Sequence, residues 1–230
     1  MTRSLPEPEP GPDSDPDSDP DSADLLDRLD PRPVVSSEVV YRGLIWDVRR
    51  DVVDLGVAGL VRRDLIEHPG AVAIVALDAQ DRLALIQQYR HPIETFGWEI
   101  PAGLLDQRGE SPVRAAAREL AEEADLAATR WEVLLDYATS PGYTSEQIRI
   151  FLARDVTQVP ADARHTRHGE ELGMPLHWVA LDAALEAVLE SRIHNPHTVI
   201  GILAAHAARA RNWADLRPAP APWPQHRDHR

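Results

Sequence analysis

The segment spanning residues 111–124 constrains the fold of this chain more than any other, because it predicts a helix with two contrasting faces. Ser111 is a favourable residue at the start of a helix, and Pro112 suits the first helical position. With 100° between successive residues, one side of this helix is apolar and carries Val113, Ala117, Leu120 and Ala124. The chain must therefore supply a core layer that covers that side.

A different face of the predicted helix carries three glutamates at helical spacing, Glu119, Glu122 and Glu123. Glu119 and Glu123 are like charges one turn apart, which costs the helix roughly 0.2–0.5 kcal/mol. Arg118 is placed to pair with Glu122, but neither Glu119 nor Glu123 has a basic residue four positions away. Unneutralised carboxylates on one face are suitable ligands for Mg²⁺ or Mn²⁺. A solvated acidic helix surface is the alternative that this spacing leaves open.

Composition excludes several classes of protein. The 24 basic residues are all Arg and stand against 38 acidic ones, giving a net charge of −14, so we expect neither nucleic acid nor a membrane as partner. The chain has no Cys and no Lys, which excludes disulfides, thiolate chemistry and Schiff bases. It shows no apolar run near the ~18 residues of a membrane span and no signal-peptide pattern, so we expect a cytoplasmic protein.

Hydrophobic patterning outlines a folded body over residues 34–216. Alternation and β-branched residues predict strands at 35–41, 44–54, 58–67, 71–77, 83–89, 98–100, 131–138 and 147–153. Helical periodicity predicts helices at 111–124, 182–191 and 196–211. The residues DAQD between two of the apolar strands indicate a hairpin. A mixed sheet flanked by helices, an α/β fold, accounts for these elements, and the first three strands could form a sheet of their own.

Two biased segments flank this body. Residues 1–33 form an acidic, Pro/Asp/Ser-rich tail with DSDPDSDPDSAD at its centre, and we expect it to be disordered. Residues 217–230, RPAPAPWPQHRDHR, are rich in Pro and are expected to lie extended along a surface.

Residues 101–126 resemble the signature of the Nudix hydrolases. In that signature, Gly is followed at fixed spacing by Glu and then by the group Arg-Glu-aliphatic-x-Glu-Glu. Gly103, Glu110 and the run RELAEE at 118–123 fill these positions. Six residues rather than five separate Gly103 from Glu110, and Asp125 replaces the final Gly of the signature. Aspartate tolerates the left-handed backbone better than most residues, and neither departure removes a carboxylate.

The resemblance extends to ADP-ribose pyrophosphatases of the mycobacterial type. The segments EHPGAVAIVAL, QQYRHP, WEIPAG and SPGYTSE are similar in order and spacing, and Pro141 lies near a position that marks this subfamily. The resemblance implies metal-dependent hydrolysis of ADP-ribose to AMP and ribose 5-phosphate on an α/β/α sandwich with a mixed sheet. It also implies an N-terminal antiparallel β region, residues 34–67, exchanged in a homodimer, ahead of a Nudix hydrolase domain at 68–216.

Roles for individual residues follow from the same resemblance. Glu119, Glu123 and the backbone carbonyl of Ala102 would bind the metal, and Glu122 would bind a second ion or its water shell. Arg118 would hold the glutamate face in place, with Glu110 in a lesser part. A simple helix salt bridge is the plainer interpretation of Arg118, and the two roles are compatible.

The general base is expected outside the signature. Residues 157–174 form a long, aperiodic loop, and such loops are often functional. The resemblance places the base at Glu170, with the adjacent Glu171 as an alternative and Glu146 as a weaker rival. A solvated pair of loop glutamates is the remaining possibility.

Substrate contacts are expected from cations and an aromatic ring. Arg63 and Arg90 could contact the diphosphate and ribose, because guanidinium groups suit phosphate. Trp46 matches a family position that stacks on adenine, and it also alternates as a core residue would. Leu104 could add a backbone contact. Two rival functions stay open: a pyrophosphatase for another nucleoside diphosphate sugar or a dinucleotide, and a non-catalytic module that senses ADP-ribose.

Overall fold

The computed structural model describes residues 25–44, 46–167, 169 and 172–229 of the 230-residue chain. Met1–Arg32 is a unit of its own, and its described part, residues 25–32, contains no helix or strand. Most of the tail predicted to be disordered, residues 1–33, therefore lies outside the described residues.

The second unit, Pro33–Arg230, contains all the strands and helices of the described residues. The strands are β1 (Val34–Arg42), β2 (Asp47–Asp54), β3 (Leu60–Ile66), β4 (Ala71–Ala76), β5 (Arg82–Arg90), β6 (Thr95–Glu99), β7 (Ala102–Leu104), β8 (Leu126–Ala138), β9 (Gln147–Gln158), β10 (Leu176–Ala180) and β11 (Arg217–Pro218). The helices are α1 (Pro112–Ala124), α2 (Leu181–Leu189) and α3 (Pro196–Ala210). None of the helices among the described residues has the length and apolarity needed to cross a lipid bilayer.

Strand β4 explains the layered architecture, because all six of its residues are buried. Its odd-numbered residues join an apolar cluster that includes Leu181 of α2 and Ile202 of α3. Its even-numbered residues join a second cluster that includes Leu120 of α1. A strand that is apolar on both faces is typical of a sheet covered by helices on both sides. The predicted α/β/α sandwich is confirmed, with α1 on one face and α2 and α3 on the other.

The strands of the described residues form three sheets. The central sheet has the order β11-β8-β9-β4-β7, in which β4 and β9 are parallel and the other pairs antiparallel, so it is mixed as predicted. A second antiparallel sheet has the order β10-β5-β6. Strands β1, β2 and β3 form the separate antiparallel sheet expected at the N-terminus.

The predicted hairpin between the apolar strands is wrong. Strands β4 and β5 lie in different sheets and share only an isolated bridge, from Leu77 to Leu83. The backbone N–H of Leu77 donates to Ala153 of β9, while the carboxylate of Asp78 accepts from the backbone N–H of Arg82 and closes the turn. All of β4 and residues 83–86 of β5 are apolar on both faces, so their local patterns do not reveal their partners.

The apolar side of α1 is rotated from the predicted one. Ala117 is exposed and Val113 is only half-buried. The residues that the helix buries are Ala115, Ala116, Leu120, Glu123 and Ala124. The helix packs against β4, β7 and β8 with this rotated face, which turns the carboxyl group of Glu123 inward. A buried glutamate cannot be recognised by a hydrophobic pattern, which counts it as a surface residue.

Two further features differ from the predictions. Strand β8 begins five residues early, at Leu126, because it pairs with β9 along its whole length, from Leu126 opposite Gln158 to Ala138 opposite Gln147. The C-terminal segment does not simply lie along a surface. Its Arg217 and Pro218 pair with β8, and Trp223 is only 1% exposed.

Candidate active site

Helix α1 begins and ends much as its sequence predicts. The backbone carbonyl of Ser111 accepts from the amides of Arg114 and Ala115, although its side chain makes no capping hydrogen bond. Pro112 occupies the first turn. At the other end, Asp125 adopts the left-handed conformation with φ of 54°, as expected from its tolerance of that region. These ends fix which residues of the helix face the β7 strand.

Arg118 is the centre of an ion-pair network on α1. Its Nη2 lies 3.0 Å from Glu110, and its Nη1 lies 2.6 Å from Glu119 and 3.2 Å from Glu122. The hydrogen bond to Glu110 is the largest of the effects that raise the pKa of Arg118 above its usual value. The predicted pair with Glu122 is present, and contacts with Glu110 and Glu119 add to it. Arg118 thus holds together three of the carboxylates of the signature.

Glu123 lies apart from this network and is 9% exposed. Its Oε2 accepts a hydrogen bond of 3.0 Å from the backbone N–H of Ala102. Burial raises the pKa of Glu123 to about 8, and the charge of Glu119 adds to the rise. Burial also raises the pKa of Glu119, against the opposing effect of Arg118. Two carboxyl groups of the site therefore hold their protons more strongly than they would in water.

Gly103 of β7 lies directly against the carboxylate of Glu119. A Cβ atom at this position would overlap the carboxylate of Glu119. Only glycine leaves that carboxylate its present place over the strand. This contact explains why the signature begins with Gly, sixteen residues before Glu119 in the chain.

The donor set fits a hard divalent cation. Carboxylate oxygens are the ligands that Mg²⁺ and Mn²⁺ prefer, and a cation would supply the positive charge that the buried carboxyl group of Glu123 lacks. Among the described residues, however, no three acidic or histidine side chains are already gathered at ligand distance. Glu119 and Glu122 point to Arg118 instead. Metal binding would therefore require both carboxylates to give up their ion pairs with Arg118, although that of Glu119 already lies against Gly103 of β7.

A cavity of about 710 Å³ opens beside β7. Ala102, Gly103 and Leu104 line it, so the strand that contacts Glu119 and Glu123 also forms a wall of the cavity. Trp46 and Arg90 line it as well. Three of the four residues predicted to bind substrate thus meet in one place.

Arg63, the fourth predicted substrate contact, is not among the residues lining this cavity. It lies exposed on β3, and its Nη1 donates to the backbone carbonyl of Arg62 at 2.9 Å. The structure therefore does not bring Arg63 together with Trp46, Arg90 and Leu104.

Arg90 is held at the cavity by a buried carboxylate. Its Nε and Nη2 donate to the two carboxylate oxygens of Glu99 at 2.9 and 2.6 Å. His197 lies near the same carboxylate, with its Nε2 3.6 Å from Oε2, beyond hydrogen-bond distance. Burial by itself raises the pKa of Glu99, but His197 and Arg90 outweigh burial and the pKa falls to about 2. Glu99 is thus an ionised carboxylate that orients the guanidinium group of Arg90.

A second cluster forms the wall around Trp46. The ring of Trp46 stacks on His68, with centroids 4.4 Å apart. The Nε2 of His68 lies 3.1 Å from Glu146, whose other oxygen accepts from the hydroxyl of Thr139 at 2.6 Å. The Nδ1 of His68 accepts from the backbone N–H of Gly70, which leaves Nε2 as the donor to Glu146. Burial lowers the pKa of His68, so the neutral ring suits these two bonds.

The loop after β9 is anchored to the end of α1. The Nη2 of Arg167 donates to the carbonyl of Glu123 at 2.9 Å and to the carboxylate of Asp125 at 3.0 Å. A cation at this position opposes the negative end of the helix dipole. Glu170 and Glu171, the predicted bases, lie outside the described residues, three and four positions beyond this anchor.

Sequence reasoning missed four residues of the site: Glu99, His68, His197 and Arg167. Glu99 carried a usable signal, since a lone carboxylate inside the apolar run WEI needs a partner once it is buried. The other three carried none, because their roles depend on contacts between distant parts of the chain.

Comparisons with known proteins show what this chain is similar to. The profile of the NUDIX domain family matches residues 67–198. An ADP-ribose pyrophosphatase of Mycobacterium tuberculosis is 41% identical over 189 residues, which cover 82% of this chain and 89% of the relative. A methanol dehydrogenase activator of Bacillus methanolicus is 32% identical over 77% of this chain and 94% of the relative. The crystal structure of an ADP compounds hydrolase shares the fold, with a TM-score of 0.67 and 21% identity over 81% of this chain and 98% of that one.

Proposed function

Because the chain belongs to the Nudix family of hydrolases, we propose that it hydrolyses ADP-ribose between its two phosphorus atoms, releasing AMP and ribose 5-phosphate. The observation that carries the proposal is the position of β7. One side of this strand contacts Glu119 and Glu123, and its residues also line the cavity of about 710 Å³. A diphosphate bound there would lie against the carboxylates. The name of the Mycobacterium tuberculosis relative supplies the substrate.

Nudix hydrolases generally require a divalent metal ion, and we propose Mg²⁺ or Mn²⁺ for this one. Glu119, Glu123 and the carbonyl of Ala102 would hold it, with Glu122 serving a second ion or its water shell. When bound, such an ion neutralises the diphosphate and makes water a stronger nucleophile at neutral pH. Arg118 would hold these carboxylates on one face of α1 before the ion binds and would release them as they become its ligands.

The rest of the cavity supports a nucleoside diphosphate sugar as substrate. Arg90, oriented by Glu99, supplies a guanidinium for the diphosphate, as its fork geometry suits phosphate oxygens. Trp46 offers a ring face for adenine, and Leu104 offers its backbone. Arg63 lies outside the cavity lining, so its contact with substrate would depend on exchange of the N-terminal strands between subunits.

Glu170 is proposed as the general base, with Glu171 as its alternative. The anchoring of Arg167 on the end of α1 supports this assignment, since it ties the loop to the helix that carries the metal ligands. Glu146, the weaker rival, lines the cavity but is engaged with His68 and Thr139. It therefore serves better as part of the cavity wall.

We further propose a cytoplasmic homodimer in which residues 34–67 are exchanged ahead of the hydrolase domain at 68–216. Every residue of β1 is exposed, including five large apolar ones, Val34, Val35, Val39, Val40 and Tyr41. An apolar edge of this kind is typical of a surface that another chain covers.

A substrate panel tests the proposal. Purified protein is incubated with ADP-ribose, ADP-glucose, GDP-mannose, NADH and a nucleoside triphosphate, each with Mg²⁺, Mn²⁺ or EDTA, and the products are separated by chromatography. We expect metal-dependent release of AMP and ribose 5-phosphate from ADP-ribose, well above every other substrate. Faster cleavage of another sugar nucleotide or of NADH would keep the reaction and overturn the substrate.

A second candidate is a regulatory module that binds a nucleotide without cleaving it. The relative from Bacillus methanolicus favours it, because its name describes activation of another enzyme. Tight binding of ADP-ribose without cleavage of any substrate in the panel would select this candidate. The full set of signature glutamates in this chain argues for catalysis.

A further inference from the structure

The C-terminal segment 217–229, here called the strap, is held by the rest of Pro33–Arg230 through buried contacts. Its Trp223 is 1% exposed and lies under the guanidinium of Arg149, 4.7 Å from the ring centroid. Arg149, itself buried, donates to the carbonyls of Ala221 and Pro222 at 2.7 and 3.0 Å and pairs with Asp136. A solvated tail would make none of these contacts. The strap also lies outside residues 67–198, which the family profile matches.

Beyond Trp223, the strap contacts the turn that leads into β4. The Nε2 of His226 lies 3.0 Å from the carbonyl of Pro69, and its Nδ1 accepts from the backbone N–H of Asp228. These two bonds require the neutral ring with its proton on Nε2. Burial lowers the pKa of His226, which favours that form. The neighbouring Arg227 pairs with Glu67 at 2.5 Å.

Gly70 lies directly beneath the ring of His226. A Cβ atom on Gly70 would overlap the Nε2 of His226, and the backbone φ of +87° at Gly70 also favours glycine. The strap and this turn are therefore fitted to each other.

The Pro69–Gly70 turn is connected to both halves of the proposed site. The N–H of Gly70 donates to His68, which supports Trp46 and Glu146 on the cavity wall. The carbonyl of Gly70 accepts from the N–H of Leu105 at 3.0 Å, just after β7. From Leu105 the chain runs directly to Glu110, which pairs with Arg118 on the carboxylate face of α1.

We propose that the strap is a positioning element of the active site, in which His226 fixes the Pro69–Gly70 turn and thereby both the cavity wall and the segment that follows β7 and leads to Glu110. The effect of the strap on catalysis rests on the proposed function, whereas its effect on the position of the Pro69–Gly70 turn does not. No residue of the strap touches substrate in this account; the strap acts through His68 and Leu105.

A double-mutant cycle tests the proposal on the full chain. Gly70→Ala, His226→Ala and the double variant are compared with wild type, with Gln225→Ala as an exposed control within the strap. When Gly70→Ala is the only change, the added methyl group displaces His226. When it is combined with His226→Ala, only the backbone strain at position 70 remains. We expect each single variant to lower kcat/KM for ADP-ribose roughly tenfold, through KM and through weaker Mn²⁺ binding. The double variant should be no worse than the poorer single variant.

Two further measurements separate positioning from general instability. His226→Gln keeps an N–H donor toward Pro69. It should therefore recover most of the affinity for ADP-ribose and Mn²⁺ that His226→Ala loses. Hydrogen exchange of the Leu105 amide reports on its bond to Gly70 without any turnover, and it should accelerate in His226→Ala below the melting temperature. Unchanged exchange at Leu105, or single-variant losses that multiply in the double variant, would overturn the proposal. Faster exchange in a protein that cleaves nothing would support the strap while the proposed function fails.

Discussion

At the scale of single residues, the site is organised by carboxylates in unequal surroundings. Glu119 and Glu122 share Arg118, whereas Glu123 is buried against a backbone amide. Glu99 is buried as well, yet its pKa falls to about 2 while that of Glu123 rises to about 8. The difference lies in the cations, because Arg90 and His197 lie beside Glu99 and outweigh its burial, whereas the charge of Arg90 lowers the pKa of Glu123 by less than burial raises it.

Replacing Gly103 with Ala should damage the metal site more than the fold. The added methyl group would occupy the place of the Glu119 carboxylate. Since small misplacements in an active site cost about 10²-fold in rate, we expect a loss of that order in kcat and a weaker affinity for Mn²⁺. Gly142→Ala is the matched control, because a Cβ there meets nothing within 4 Å. Equal activity of the two variants would contradict the role assigned to Gly103.

Replacing Glu99 with Gln should cost stability in a pH-dependent way. The pKa of Glu99 is lower in the folded protein than its ordinary value of 4.5. Its contribution to folding is therefore complete above about pH 4.5 and is lost as the pH falls toward 2. We expect the variant to lose about 1–3 kcal/mol at pH 7 by urea unfolding, with the gap narrowing in acid. A gap that stays constant or widens below pH 4.5 would refute the pairing.

At the scale of elements, α1 and the loop after β9 form one unit. Arg167 donates to the backbone carbonyls of Glu122 and Glu123 and to the carboxylate of Asp125. Its positive charge offsets the repulsion between the acidic side chains here and the negative end of the helix dipole. The same contact fixes the loop that carries Glu170 and Glu171.

Replacing Arg167 with Met should therefore lower kcat more than it raises KM. The change keeps the aliphatic stem of the side chain and removes the fork that reaches α1, which lets the proposed base move from the metal ligands. We expect a fall in kcat of roughly 10–100-fold in steady-state assays. Arg164→Met, on an exposed arginine of the same loop, should leave kcat near the wild-type value. A pure rise in KM would show that the loop binds substrate instead.

Elements were predicted well where local chemistry determines them. The caps and spacing of residues 111–124 locate α1 to within one residue, and the α/β class follows from the order of the elements. The partners of β4 and β5 could not be predicted, since strands that are apolar on both faces fit either sheet. The rotated face of α1 was missed for a related reason, because the buried Glu123 carries no hydrophobic signal.

The residues of the candidate site were likewise predictable within a single element and not where distant segments of the chain meet. Arg118, Glu119, Glu122 and Glu123 lie within one helix, so their spacing alone identifies them as one group, but it does not show that Glu123 is buried away from Arg118. Trp46 and Arg90 were identified by resemblance and do line the same cavity. The contacts of His68, Arg167 and the strap join residues far apart in the chain, and no local pattern encodes such pairs.

At the scale of the whole molecule, the exposed apolar strand β1 predicts self-association. Light scattering after size exclusion should give twice the chain mass of 25.6 kDa. Val35→Asp places a charge on β1 and should shift the protein toward monomer with reduced activity, because burying an unpaired charge is unfavourable. Leu189→Asp, at an exposed position on α2, should leave the mass unchanged. A monomeric wild type that is fully active would contradict the exchanged dimer.

In the proposed function, the carboxylates of α1 drive metal-dependent cleavage of ADP-ribose, and one comparison tests this role directly. AMP release is measured with Mg²⁺ and Mn²⁺ for wild type, Glu123→Gln and the exposed control Glu186→Gln, alongside ADP-ribose binding in EDTA. We predict that Glu123→Gln loses at least about a hundredfold in turnover while its metal-free binding and the activity of Glu186→Gln stay near wild type. Turnover by Glu123→Gln at the wild-type rate, or binding without turnover by wild type itself, would contradict this role of the α1 carboxylates.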